Sequence, residues 1–199
     1  MAWPEVDAVA IGASAGGVEA LLSLTAALPA DFPAAVLVVL HRPQHSAASP
    51  SIAEVLARGC RLPLADALDH EPIVAGRVLL APAGYHLLVD PGPVAALSVD
   101  EPVLWSRPAI DPLFESAALV YRDRLLALLL TGASADGSAG ALTVRRVGGE
   151  LWVQDPREAA VPTMPAAALR AAGADRVLGL TEMCRMLGAA RARGEPHES

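Results

Sequence analysis

Residues 8–17 read Ala-Val-Ala-Ile-Gly-Ala-Ser-Ala-Gly-Gly. The apolar run over 6–11 has the character of a buried strand; it stops at Gly12, and a helical pattern at Val18, Leu21, Leu22 and Leu24 begins just after Gly17. Ser14 therefore falls where a strand hands over to a helix, with Gly12 and Gly16 on either side in a G-x-S-x-G arrangement. Small neighbours let such a turn be tight and lift the hydroxyl clear of the backbone. The helix N-terminus leaves N–H groups free to meet an oxyanion. The pattern points to nucleophilic acyl transfer, which needs a base for the hydroxyl and a group to orient that base.

The same alternation continues outward. Strands are expected at 35–40, 125–130, 150–154 and 177–180, and helices at 17–28, 51–58, 111–121, 136–147, 165–172 and 182–193. A middle punctuated by proline and glycine carries short strands at 76–81, 85–90 and 94–99. This β-α-β rhythm predicts an α/β fold with a doubly wound, mostly parallel sheet flanked by helices in three αβα layers. The central hairpins are expected as an insertion at one edge. One domain is expected over 1–193, followed by a disordered tail at 194–199.

Composition agrees with buried parallel strands: of 199 residues, 53% are hydrophobic and only 4% aromatic, so the core is built from Ala, Val and Leu. The net charge of −7 argues against nucleic acid as a partner. Cys60 and Cys184 lie far apart without a C-x-x-C spacing and are expected as free thiols. No leader and no apolar stretch of spanning length is legible, so the chain is read as soluble, cytoplasmic and not membrane-inserted.

Among five histidines, His41 follows the strand at 35–40 directly, at its carboxyl end, as Ser14 follows the first strand. Active sites of open parallel sheets form outside the carboxyl ends of strands, so the two side chains can converge. His45 lies beyond Pro43, a poor arrangement for a shared metal site; no metal or cofactor is expected. His70 and His197 are read as structural or solvated, and His86, after the turn at 82–84, as a possible lining of the same pocket. Asp136 opens the loop after the strand at 125–130 and suits either a triad carboxylate or the N-cap of the next helix, with Ser134 an alternative cap. Asp111 and Asp155 each precede a proline, which favours helix-start or turn roles. A nucleotide site fits less well. The loop is not G-x-G-x-x-G, and the second strand ends in His41 rather than an acidic residue.

Several separated segments occur in one order: Ile-Gly-Ala-Ser-Ala-Gly-Gly (11–17), the His41 loop, Leu-Ala-Pro-Ala-Gly-Tyr-His (80–86), Arg-Pro-Ala-Ile-Asp-Pro-Leu-Phe-Glu-Ser-Ala-Ala (107–118), Leu-Thr-Gly-Ala-Ser-Ala-Asp-Gly (130–137), Gly-Gly-Glu-Leu-Trp-Val-Gln-Asp (148–155) and Met164-Pro165. Together they resemble the catalytic domain of the chemotaxis protein-glutamate methylesterases of the CheB type, over about residues 6–187. The resemblance implies a Ser14–His41–Asp136 triad. It also implies demethylation of glutamate methyl esters on chemoreceptor cytoplasmic domains with release of methanol, and in many members deamidation of receptor glutamines. By position, the oxyanion donors are the backbone N–H groups of Ala15, Gly16 and Ala133. Well-known members carry Thr where this chain has Ala15, Met where it has Ala133, and Gln and Met where it has Leu40 and Arg42. The family usually carries a receiver domain ahead of the catalytic one; none is read in this chain, which leaves an excised domain, a stand-alone protein under a separate receiver or methyltransferase protein, or an unregulated one. A small-molecule carboxylesterase and a non-catalytic regulatory module are the competing readings.

Overall fold

The computed structural model describes residues 3–41 and 51–190. Its centre is set by strands whose every residue is buried: β1 (Ala8–Ala13), β2 (Ala35–Leu40) and, later in the chain, Leu125–Leu129. Runs with no polar face cannot lie on a solvated sheet, so each must be covered on both sides. Helices α1 (Gly17–Ala27) and α2 (Ile52–Ala57) follow the first two strands. The chain then continues through β3 (Leu64–Asp66), β4 (Val78–Leu80), β5 (His86–Asp90), β6 (Val94–Ser98) and α3 (Ile110–Tyr121). It closes with β7 (Leu125–Leu129), α4 (Ser138–Arg146), β8 (Glu150–Gln154), α5 (Thr163–Ala172), β9 (Arg176–Leu178) and α6 (Leu180–Gly188).

Seven strands form one parallel sheet in the order β3-β4-β2-β1-β7-β8-β9, and β5 and β6 pair separately as an antiparallel hairpin. The strand period of two sorts the core into two clusters. Ala8, Ala10, Leu37, Val39, Ala127 and Leu129 face α3, α4, α5 and the hairpin, which contributes Leu87, Val89 and Ala95. Val9, Ile11, Val36, Val38, Leu126 and Leu128 face α1, α2 and α6. The order of connections reverses between β1 and β7, since β1 leads outward to β2 while β7 returns to its other edge. At such a switch point the loops above the strands part and leave a crevice.

The doubly wound three-layer αβα architecture is the one read from the sequence. Several boundaries differ. The segment at 76–81 is not part of the hairpin region: its β4 lies inside the main sheet, between β3 and β2. β3 was not legible, being three residues long and only partly buried. The helix expected from 136 starts at Ser138, α5 starts two residues earlier than expected, and α6 spans Leu180–Gly188 rather than 182–193. The tail at 194–199 lies outside the described residues. Among the described residues no helix is long and apolar enough to cross a membrane, and Cys60 and Cys184 are free thiols.

Gly12 shows how tightly α3 is laid on β1. A Cβ built there would stand 2.5 Å from Ile110 Cγ2, so Gly12→Ala forces the start of α3 off the sheet. The substitution is expected to cost about 1–3 kcal/mol, a fall in Tm of about 2–4 °C per kcal/mol for a chain of this size. Thermal denaturation followed by circular dichroism checks it; an unchanged Tm contradicts this packing.

Candidate active site

Three strand ends meet at the switch point. Ala13 of β1 is paired with Leu40 of β2 on one side, and Gly12 with Leu129 of β7 on the other. The ladder runs one step further: the His41 N–H donates to the Ala13 carbonyl at 3.0 Å, and the Ser14 N–H donates to the Thr131 carbonyl at 3.0 Å. Ser14 therefore stands beside His41 across strands that lie about 4.8 Å apart. Beyond the serine the chain turns into α1 through Gly16, whose φ of 76° is left-handed. Gly16 takes the left-handed turn; Ser14 is not among the residues with positive φ. Ala15, Gly16 and Ala133 are exposed residues, and their N–H groups donate to no acceptor among the described residues.

The floor under Ser14 is made by residues that the sequence reading quoted as motif but gave no role. A Cβ at Gly132 would lie 2.9 Å from the Ser14 Cβ and 2.6 Å from the Met164 Cε, so only glycine lets these loops close on the serine. The Thr131 hydroxyl donates to the Ala15 carbonyl at 2.8 Å and accepts from the Val161 N–H at 2.9 Å. Its own N–H donates to Gln154 Oε1 at 2.8 Å. Thr131 and Gln154, both buried, thereby tie the serine turn to the ends of β7 and β8.

Asp136 is fully buried and holds the other half of the site. Its Oδ2 accepts from His41 Nε2 at 2.6 Å and from the Ile110 N–H at 2.6 Å. Its Oδ1 accepts from the N–H groups of Asp111 at 3.0 Å and Gly137 at 2.9 Å. Burial works to raise the pKa of this carboxyl, but the His41 bond and the backbone donors outweigh it and hold the group below its ordinary 3.8. An ionised Asp136 requires the proton on Nε2, so His41 keeps Nδ1 bare as the nitrogen able to accept from a hydroxyl. The structure brings His41 and Asp136 into contact; among the described residues the Ser14 hydroxyl makes no hydrogen bond to the ring.

The local alternatives for Asp136 resolve differently from either sequence option taken alone. The N-cap of α4 is Gly137, with no side-chain cap bond, so neither Asp136 nor Ser134 caps that helix. Ser134 instead accepts from the Asp136 N–H at 3.1 Å. The helix that Asp136 caps is α3, whose own N-cap, Ala109, offers no side chain for the purpose. His86 is a correction. It is buried, its Nδ1 accepting from the Ala109 N–H at 3.2 Å and its Nε2 lying 3.3 Å from the Glu101 carbonyl, so it braces the entry of α3 and has both ring nitrogens engaged by the backbone. Asp155 makes a turn with Arg157, and His70 is exposed beside Asp69. His45, Arg42 and His197 lie outside the described residues. Among the described residues no group of three or more His, Cys, Asp or Glu could hold a metal ion.

The family model for CheB methylesterase matches residues 9–187. The chain belongs to the CheB methylesterase family. It is 36% identical over 180 residues to a putative protein-glutamate methylesterase/protein-glutamine glutaminase of Leptospira interrogans, covering 90% of this chain and 92% of that protein. It is 42% identical over 182 residues to protein-glutamate methylesterase/protein-glutamine glutaminase 2 of Anaeromyxobacter dehalogenans, covering 92% of this chain but only 52% of that one. The crystal structure of the Thermotoga maritima CheB methylesterase catalytic domain superposes with a TM-score of 0.86 at 32% identity, over 92% of this chain and 97% of that one.

Asp136→Ala removes the acceptor of three backbone N–H groups and of His41, and is expected to cost about 3 kcal/mol or more. Because the folded-state pKa lies below 3.8, the stabilisation is complete above that value and is lost as pH falls through the lowered one. The Tm gap between wild type and variant should be full at pH 7 and close below pH 3.8. A gap independent of pH contradicts an ionised, hydrogen-bonded Asp136.

Proposed function

We propose that this chain is a serine hydrolase that demethylates glutamate methyl esters on the cytoplasmic helical domains of chemoreceptors, releasing methanol. The proposal extends to deamidation of receptor glutamines by the same route. The observation that carries it is the buried Asp136–His41 bond beside Ser14 at the carboxyl ends of β2, β1 and β7. Membership of the CheB methylesterase family and the printed names of the relatives support the substrate class.

In this reading His41 Nδ1 takes the Ser14 proton as Oγ attacks the ester carbonyl. The N–H groups of Ala15, Gly16 and Ala133 hold the oxyanion, and the imidazolium, steadied by Asp136, returns the proton to the departing methoxide. Water then repeats the sequence on the acyl-serine, leaving a glutamate carboxylate. With a glutamine the first leaving group is ammonia and the product is the same. The Ser14–His41 hydrogen bond forms as substrate fills the crevice, since catalytic contacts tighten on binding. Residues 1–193 act as one catalytic unit in the cytoplasm.

A fluorophosphonate probe and a methanol-release assay on methylated receptor membranes test this together. Both labelling and release are expected for wild type. Ser14→Ala should abolish both, and His41→Ala should lower turnover by about six orders of magnitude. Labelling that survives Ser14→Ala contradicts the nucleophile; labelling without methanol release assigns the site to a different ester, as the small side chains of Ala15 and Ala133 at the rim would allow.

A further inference from the structure

Helices α3 and α4 begin side by side, and neither carries a side-chain cap of its own, with Ala109 and Gly137 at the two N-cap positions. Each is capped from the other's entry. Asp136, ahead of α4, takes the Ile110 and Asp111 N–H groups of α3. Asp111, in the first turn of α3, takes the Gly140 N–H of α4 at 2.7 Å. Gly140 makes the exchange possible, since a Cβ there would stand 2.5 Å from the Phe114 Cβ. Donors that both helices would otherwise leave unpaired are satisfied in this way.

The exchange sets two acidic residues side by side, the Asp111 N–H on Asp136 Oδ1 at 3.0 Å and the Asp111 carboxylate on the Gly140 N–H at 2.7 Å. The groups around Asp111 are Asp136 from the loop before α4, His41 just past the end of β2 beyond it, Glu115 one turn along α3, and His86 of β5 on the Ala109 N–H. Burial pushes Asp111 up to about 6; the Gly140 N–H opposes the rise, and the charges of Asp136 and Glu115 add to it. The group therefore changes charge near neutrality, while its neighbour Asp136 stays ionised.

We infer that Asp111 is a positioning residue acting through Asp136 on His41, an inference that rests on the Ser14–His41–Asp136 reading. Ionised, it places a second negative charge behind an imidazole that becomes cationic when Ser14 loses its proton. Protonated, it donates a hydrogen bond to Asp136, occupies a lone pair of that carboxylate and weakens its hold on the ring. Both effects have one sign: turnover rises as Asp111 loses its proton.

The test is the pH dependence of kcat/KM for hydrolysis of p-nitrophenyl acetate between pH 5 and 8.5, with Tm measured alongside. Asp111→Asn keeps an oxygen for the Gly140 N–H and removes the charge. It is expected to lose at least about tenfold at pH 8, since one charge acting on the imidazolium is removed, and to converge with wild type below pH 5.5. Asp111→Glu restores the charge and should recover the rate at pH 8. A merely structural role would move Tm and leave the profile's shape alone. Superimposable wild-type and Asp111→Asn profiles therefore overturn the inference, whatever happens to Tm. Should Asp111→Asn fail to fold, the other two proteins decide: a wild-type rate independent of pH between 5.5 and 7, or a Glu variant as slow as an unfolded control at pH 8, overturns it. Ser14→Ala separates the two claims, because a variant that retains the rate removes the triad reading itself.

Discussion

One buried anion ties the architecture to the chemistry. The Asp136 carboxylate receives three backbone N–H groups and the His41 ring in a place without solvent. Burying a carboxylate is costly unless its lone pairs are filled, and the donors here fill them. Two of the N–H groups belong to the first turn of α3, so the start of that helix and the orientation of the imidazole depend on the same two oxygens. The partly positive end of α3 also favours the ionised form that the imidazole requires.

The sheet supplies the remaining geometry. Parallel strands with a reversal of order between β1 and β7 place three loop starts side by side at one edge, and the register sets Ser14, His41 and Thr131 in a row. Close packing then narrows what each position accepts. Ile110 excludes a side chain at Gly12, Met164 and Ser14 exclude one at Gly132, and Thr131 with Gln154 fastens the serine turn from below. The site is rigid because the interactions that hold it are those that hold the strand ends together.

The sequence displayed the strands best, since runs such as Leu-Leu-Ala-Leu-Leu of β7 leave no polar face to misplace. It displayed β3 poorly because three half-buried residues carry no period. Ser14 and His41 were legible from where each strand stops. The triad role of Asp136 was one of two readings open at its strand end, but its capping of α3 was not legible, because its partners Ile110 and Asp111 sit on another helix 26 and 25 residues away in sequence, and local spacing reports only a residue's own helix. His86 misled for the same reason: a histidine after a turn gives no sign that both its nitrogens are taken by the backbone. Gln154 did leave a signal. It is a polar residue ending a strand that is otherwise Leu-Trp-Val in its buried part, and a buried amide must find a partner.

The central claim is that Asp136 fixes the tautomer of His41, with the proton on Nε2 and Nδ1 free to act as base. Nitrogen-15 NMR of histidine-labelled protein, with His41 assigned by its loss in a His41→Gln variant, reads both ring nitrogens directly. The account predicts, at neutral pH, a protonated Nε2 coupled to a strongly deshielded proton and an unprotonated Nδ1. A proton found on Nδ1 with Nε2 bare would contradict it, because the nitrogen facing Asp136 would then have nothing to donate.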